Sequence, residues 1–298
     1  MKTVGIIDLG SNSMRLSVVC FSESAFDIIY QGRMPVKLSE NMNSDMLLKD
    51  EAVGRTISAL KEAKKIFSEF GADYTVAVAT AAVRKADNGK EFIEKVKDET
   101  GILINVIDGG KEAEYDFLAV KNSLGLSDCL AIDIGGASTE LIGICSGELK
   151  NYISVPLASR NITEIYLSKE SSETVLNAEN KIYECFSKIE WLKDYDGLPI
   201  VGLGGSLWSI NTSGCIRKEA DNKIPLDSAA ELYDKVKGMT VKERKRLVGE
   251  NKGDVILGGL MVFMTVIKIA SPSYLFISDK GVKDGIIYEI FEDIKNKA

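Results

Sequence analysis

Short β-branched runs alternate with stretches of helical periodicity along nearly the whole chain. That alternation predicts α/β architecture, in which helices cross over between strands. VGIID (4–8) and MRLSVVC (14–20) flank GSN, which reads as a strand, a glycine turn and a returning strand. Over 50–70, Val53, Ile57, Leu60, Phe67 and Phe70 fall on one helical face, Lys64 interrupts it, and Gly71 closes the helix. A strand over 74–79, a helix over about 90–99, a strand over 102–107 and a helix over about 111–123 follow.

At Cys129 the opening pattern returns as CLAID (129–133), a glycine turn, and TELIGIC (139–145). IIDLGSNSMRLSV and AIDIGGASTELIG align at Asp8 and Asp133, 125 positions apart, which marks an internal repeat. The expected organisation is therefore duplicated: one lobe over 1–120 with about 285–298, a second over 121–284. The second half continues with a strand over about 149–155, helices near 159–168 and 173–190, and the strand-turn-helix LPIVGLGGSLWSI (198–210). Helices near 227–237, 241–248 and 254–269, a strand over 274–277 and a final helix from about 284 complete the prediction. With no low-complexity linker between them, the lobes are expected to pack around a cleft, with Asp8 and Asp133 facing each other across it.

Composition narrows the chemistry. The 298 residues contain no histidine, which removes imidazole metal sites, Ser-His-Asp and Cys-His nucleophiles and histidine-dependent HD-type domains. The formal charge of −7 disfavours non-specific binding to nucleic acid or acidic membranes. Five cysteines without a CxxC spacing read as buried free thiols of a cytoplasmic protein. The apolar run 255–267 is shorter than the roughly 20 residues a bilayer requires and reads as a buried helix.

Each hairpin sets an Asp at the end of a buried strand before a Gly/Ser-rich turn. Glycine lets backbone approach a phosphate, amides and the hydroxyls of Ser11, Ser13, Ser138 and Thr139 can donate to its oxygens, and a carboxylate can hold hydrated Mg²⁺. GLGGS (202–206) follows an apolar strand and opens a helix, making a third candidate anion seat. The alternative for each is a tight turn capped by its own Asp; two matched copies plus GLGGS favour the anion reading.

Three such turns on a duplicated scaffold resemble the phosphate and adenosine motifs of the actin, sugar kinase and heat-shock ATPase superfamily. Within it, IDLGSNSMRLSV (7–18), ATAAVRKADNG (79–89), VIDGGKEAEYDFLAV (106–120), AIDIGGASTELIG (131–143), GLGGS (202–206), ERKRLVG (243–249), DVILGG (254–259) and ISDKGVKDGII (277–287) resemble the exopolyphosphatase/guanosine pentaphosphate phosphohydrolase (Ppx/GppA) family. The resemblance implies two actin-like (ribonuclease H-like) domains without a C-terminal HD-type domain. It also implies release of the terminal phosphate from inorganic polyphosphate or guanosine pentaphosphate (pppGpp), Mg²⁺ as cofactor, and a homodimer as an assembly common among relatives. Membrane and specific nucleic-acid partners are not expected.

By the same resemblance, Glu112 is the residue that activates water, and Arg84 and Thr80 contact phosphate. Ser11, Asn12, Ser13 and Arg15 match the first phosphate loop, and Gly135, Gly136 and Ser138 the second, while Gly204, Gly205, Ser206 and Lys252 complete the anion-binding set. Asp133 and Glu140 match magnesium-associated carboxylates, with Asp8 at the equivalent of Asp133 in the first repeat. On the residues alone, Glu112 reads as a solvated first-turn glutamate; the alternative for Glu140 is half of a cross-strand ion pair and for Arg84 a surface ion pair.

Several positions depart from the family pattern: Ala137 and Ala158 where glycine is usual, Lys252-Gly253-Asp254 for Arg-Ala-Asp, Lys283 for arginine, and Lys223 and Ile224 near a usual histidine. KERKR (242–246) reads as a solvated helical face, or alternatively as a contact for distal phosphates. Trp191 and Trp208 read as packing residues. Two other functions compete: a kinase of the same superfamily, for which no acceptor-binding insertion is visible, and a non-catalytic polyphosphate or alarmone sensor.

Overall fold

A computed structural model describes residues 1–42 and 45–297. The chain divides into two units, Met1–Asn122 with Val282–Ala298, and Ser123–Gly281.

In the first unit, β1 (Lys2–Leu9), β2 (Ser13–Phe21) and β3 (Phe26–Pro35) form an antiparallel meander. Then come α1 (Asp50–Glu69), β4 (Tyr74–Ala79), α2 (Ala81–Lys85), α3 (Gly89–Thr100), β5 (Ile104–Val106) and α4 (Gly109–Leu124). β4 pairs parallel with β1 and with β5, so the sheet order is β3-β2-β1-β4-β5. β3 is the strand that the apolar pattern does not predict. It alternates half-buried and exposed residues throughout, the mark of an edge strand whose partly wet face weakens the signal.

The second unit repeats this plan with β6 (Cys129–Ile134), β7 (Thr139–Cys145), β8 (Glu148–Val155), α5 (Ser159–Tyr166), α6 (Ser172–Phe186), β9 (Ile200–Leu203) and α7 (Gly205–Thr212). α8 (Leu226–Lys237), α9 (Val241–Val248), α10 (Ile256–Ala270) and β10 (Leu275–Ile277) follow, and α11 (Val282–Lys295) returns to the first unit. Its sheet order, β10-β9-β6-β7-β8, matches the first strand for strand, as the sequence repeat demands.

Central strands β1 and β6 are buried on both faces because helices cover each side. In the first unit Ile7 and Leu9 join the core with α1 and α3, whereas Val4 and Ile6 join the core with α4 and α11. The repeat-adjacent Gly5 has no room for a side chain, since a Cβ there would lie 2.5 Å from the Phe67 ring of α1. In the second unit α10 is buried nearly all round, against α5, α6 and α8. Gly258 and Gly259 permit this: a Cβ on them would sit 2.6 Å from the Ser159 carbonyl oxygen and 3.2 Å from Ser206 Cβ, respectively. The DVILGG segment thus serves helix packing. Among the described residues no helix is long and apolar enough to cross a membrane.

Two expectations change. In KERKR, Arg244 is fully buried and donates to both carboxylate oxygens of Glu170, at 2.6 and 2.8 Å, and to the Val236 carbonyl. Glu243 caps its own helix by accepting from Thr240 N and Oγ1 at 2.8 Å. Arg244 therefore leaves the solvated face, on which Lys242, Glu243 and Arg246 remain exposed. Of the five thiols only Cys129 is buried outright, its pKa pushed up to about 12 by desolvation; the others are half-buried.

Candidate active site

In the first unit the Gly10–Asn12 turn closes with Gly10 N donating to Ser13 O at 3.2 Å. Its outer carbonyls are held by the segment after β3: Ser11 O accepts from Ser39 N at 3.0 Å, and Asn12 O accepts from Val36 N at 3.1 Å and Lys37 N at 2.9 Å. No cis peptide bond occurs among the described residues. In a trans peptide N–H opposes C=O, so the Asn12 and Ser13 amides point away from the 36–39 segment. Ser11 and Asn12 are buried.

Asp8 ends β1 opposite Arg15 on β2, and Arg15 stands opposite Arg33 on β3. Register-paired side chains share a face, so the three form one row. Arg33 donates from Nη2 to Ser13 Oγ at 3.1 Å. Desolvation and the neighbouring Arg15 hold its pKa down, to about 10, against the pull of Asp8, which still leaves it charged at neutral pH.

β4 delivers Thr80 beside the same turn, where its N–H donates to Leu9 O at 3.3 Å, and Thr80 caps the short helix that carries Arg84. α4 begins because Asp108 accepts from Lys111 N through its carboxylate at 2.8 Å and from Glu112 N through its carbonyl at 3.0 Å. Glu112 in that first turn is only 6% exposed. Arg84 Nη1 lies 3.1 Å from Glu112 Oε2 and donates to Ile107 O at 2.7 Å. Neither the solvated-glutamate reading nor the surface-pair reading of these two residues holds, because their ion pair is largely enclosed. One turn on, Asp116 is fully buried, and the α11 start, with the buried Lys283–Asp284 pair at 3.1 Å, is pressed on the Tyr115 carbonyl at Gly285.

The second unit builds its turn differently. Gly135 N donates to Ser138 O at 3.0 Å. Gly135 O accepts from Ser159 N at 3.2 Å and Oγ at 2.6 Å, Gly136 O from Arg160 N at 3.1 Å and Asn161 N at 3.3 Å, and Ala137 O from Asn161 Nδ2 at 3.2 Å. The N-terminus of α5 therefore takes three consecutive carbonyls, and the amides of Gly136, Ala137 and Ser138 face the other way, a short run of anion donors. Thr139 is corrected as a phosphate donor: it is fully buried and its hydroxyl donates to Leu157 O at 2.6 Å.

Asp133 stands opposite Glu140, which stands opposite Ser154, in the register that Asp8, Arg15 and Arg33 occupy in the first unit. Glu140 is 1% exposed and accepts from Ser154 Oγ at 2.7 Å. Gly204, at φ +89°, folds the GLGGS turn onto Asp133: a Cβ there would lie 2.5 Å from Asp133 Oδ1 and 2.7 Å from Ile134 O. Gly205 opens α7, and Ser206 is buried with no hydrogen-bond partner for its Oγ among the described residues. Lys252 sits half-buried in the turn before α10, where its carbonyl receives Val255 N and Ile256 N at 3.0 Å.

The structure thus brings Glu112 to Arg84, Thr80 to the first turn, and Asp133 to Glu140 and Gly204. It adds Arg33, Ser39, Arg160 and Asn161, which the sequence reading does not single out. Asn161 had a local signal, a side-chain acceptor three residues into α5 that receives Ala158 N at 2.7 Å; Arg33 and Ser39 had none, since only strand pairing brings them to the turn.

Comparison with known proteins matches residues 17–293 to the Ppx/GppA phosphatase family. The chain belongs to that family. As a Ppx/GppA member it is 30% identical to a bifunctional 3-dehydroquinate synthase/phosphatase of Fusobacterium nucleatum, over 98% of this chain and 46% of that protein. It is 24% identical to a guanosine-5'-triphosphate,3'-diphosphate pyrophosphatase of Photobacterium profundum, over 97% of this chain and 59% of that one. The chain thus spans about half the length of these two relatives. The crystal structure of the Aquifex aeolicus family member is 28% identical, with a TM-score of 0.77 over 98% of both chains. An exopolyphosphatase structure from Cytophaga hutchinsonii, 22% identical with a TM-score of 0.89 over 98% of both, shares the fold of this Ppx/GppA chain.

Among the described residues no cluster of three or more Asp, Glu, His or Cys is disposed to hold a metal by itself. Mg²⁺ binds through one or two carboxylates and leaves its remaining positions to water and substrate phosphate. The register pair Asp133 and Glu140 offers such oxygen donors at one strand end, with no imidazole in the chain to compete.

Proposed function

We propose that this Ppx/GppA chain is a phosphoanhydride hydrolase that releases the terminal phosphate of inorganic polyphosphate. The observation that carries the reading is the enclosed Glu112–Arg84 pair at the start of α4. Glu112 orients and deprotonates the attacking water, a task for which a histidine-free chain depends on a carboxylate. Among the described residues, Arg84 makes only the two Nη1 bonds to Ile107 and Glu112, so the rest of its guanidinium fork is open to a phosphoryl oxygen. Thr80 and the outward amides of the first turn, with Ser11, Asn12, Ser13 and Arg15, receive phosphate oxygens in the first unit. Gly135, Gly136 and Ser138, with Gly204, Gly205, Ser206 and Lys252, do so in the second.

Asp133 and Glu140 would hold Mg²⁺, with Asp8 as the first unit's acidic counterpart, and the cation when bound would offset negative charge on the phosphates. Phosphoryl transfer asks little covalent work of the protein, and placement of water against an immobilised phosphoryl supplies most of the acceleration. pppGpp is the second substrate reading, favoured by the resemblance to the Photobacterium pyrophosphatase across 97% of this chain.

Phosphate release with Mg²⁺ from long polyphosphate, tripolyphosphate, pppGpp and ATP side by side tests the reading. Polyphosphate is expected to give the highest kcat/KM; a higher value on pppGpp moves the assignment to the second substrate. Absence of release from all four sinks the hydrolase and leaves a binding protein, while release that requires an added acceptor points to a kinase.

A further inference from the structure

Arg33 is an exposed residue of the edge strand β3, and among the described residues it makes no ion pair; its one hydrogen bond is the donation from Nη2 to Ser13 Oγ at 3.1 Å. It closes the Asp8–Arg15–Arg33 row, so two guanidiniums share a face with one carboxylate and the row carries surplus positive charge. The repeat does not require this: the same register in the second unit holds Asp133, Glu140 and Ser154. Like charges on directly opposed strand positions are unfavourable, and an anion bound over the row relieves them.

The sheet order also fixes the distance to the chemistry. β1 and β2 separate Arg33 from β4, the strand that leads to Thr80 and Arg84. At about 4.8 Å between strands, the Arg33 backbone stands roughly 10 Å across the sheet from Asp8 and farther still from Arg84. Arg84 follows β4 and Arg33 lies on the opposite edge, so a phosphoanhydride chain attacked beside Arg84 that runs across the first turn brings a later group toward Arg33.

We propose that Arg33 is a specificity-determining cation that receives a phosphoryl group removed from the scissile end, and so favours long phosphoanhydride chains over short ones; this rests on the hydrolase reading above.

The test is equilibrium binding to the intact chain in an E112Q background, where turnover is suppressed. R33Q is expected to weaken long polyphosphate by about fivefold and tripolyphosphate by less than about twofold, as for an exposed ion pair. R33K, which keeps the charge, should recover most of the loss, and the long-chain difference should shrink as salt rises. Equal loss on both ligands, no loss on the long one, or failure of R33K to recover the loss would overturn the proposal. If the wild type releases phosphate from nothing while the chain-length difference in binding persists, the hydrolase reading fails and Arg33 stands as a polyphosphate contact.

Discussion

The two units share one sheet topology and one Asp at the end of the central strand, yet neighbouring positions carry opposite charge. Beside Asp8 stand Arg15 and Arg33; beside Asp133 stand Glu140 and Ser154. On a duplicated scaffold the strand-end row is thus cationic in the unit that also bears Glu112 and Arg84, and acidic in the other. The turns differ as well. The first is braced by backbone amides of the irregular 36–39 segment, where Lys37 adopts φ 46°, and the second by a helix terminus and the Asn161 side chain. Identical topology needs only matching apolar faces, whereas the polar bracing and charge of each turn come from segments outside the repeat.

Five substitutions probe that division. The largest effect is expected from E112Q, which removes the carboxylate but keeps the shape: kcat should fall by about 10²–10⁴-fold with unchanged melting temperature. Near-wild-type turnover would remove the chemistry from the first unit.

Next is E140Q in the acidic row. With Ser154 still able to donate to the amide oxygen, folding should persist, while the Mg²⁺ concentration for half-maximal rate should rise by about 10–100-fold, as when metal-site support is lost. An unchanged Mg²⁺ titration would break the contrast between the two rows.

G204A tests whether the third turn is built around Asp133. The positive φ and the approach to Asp133 Oδ1 should cost about 1–3 kcal/mol, or roughly 2–4 °C of melting temperature per kcal/mol. A melting temperature equal to wild type would mean that the turn yields easily.

The smallest effect separates the two bracing modes. N161A deletes the side-chain bond to Ala137 O and the cap on Ala158 N, and should destabilise by about 1 kcal/mol; S39A, which leaves the Ser39 amide in place, should cost less than about 0.5 kcal/mol. Equal costs in thermal unfolding would erase the distinction.

How much of this was legible in advance depends on whether the signal was local. The 125-residue repeat, the strand-end aspartates and the glycine turns were, because a buried strand followed by a turn needs contiguous apolar and small residues. So was α10, whose apolar run admits only a buried helix. The bridge from Arg84 to Glu112, 28 residues apart, was not, since α2, β5 and α4 must first assemble. On the residues alone Glu112 looked like any first-turn glutamate, and nothing in KERKR set Arg244 apart until it proved to be buried and paired with Glu170, 74 positions away.

By itself the sequence determined the duplicated α/β plan and the histidine-free chemistry, because periodicity, repeat and composition depend on residue order alone. Only the tertiary structure decided which face each polar residue shares. Strand register set Arg33 beside Arg15 and Glu140 beside Asp133, and α5 turned three amides of the second loop outward, because pairing and packing bring together residues whose separation along the chain carries no trace of their contact.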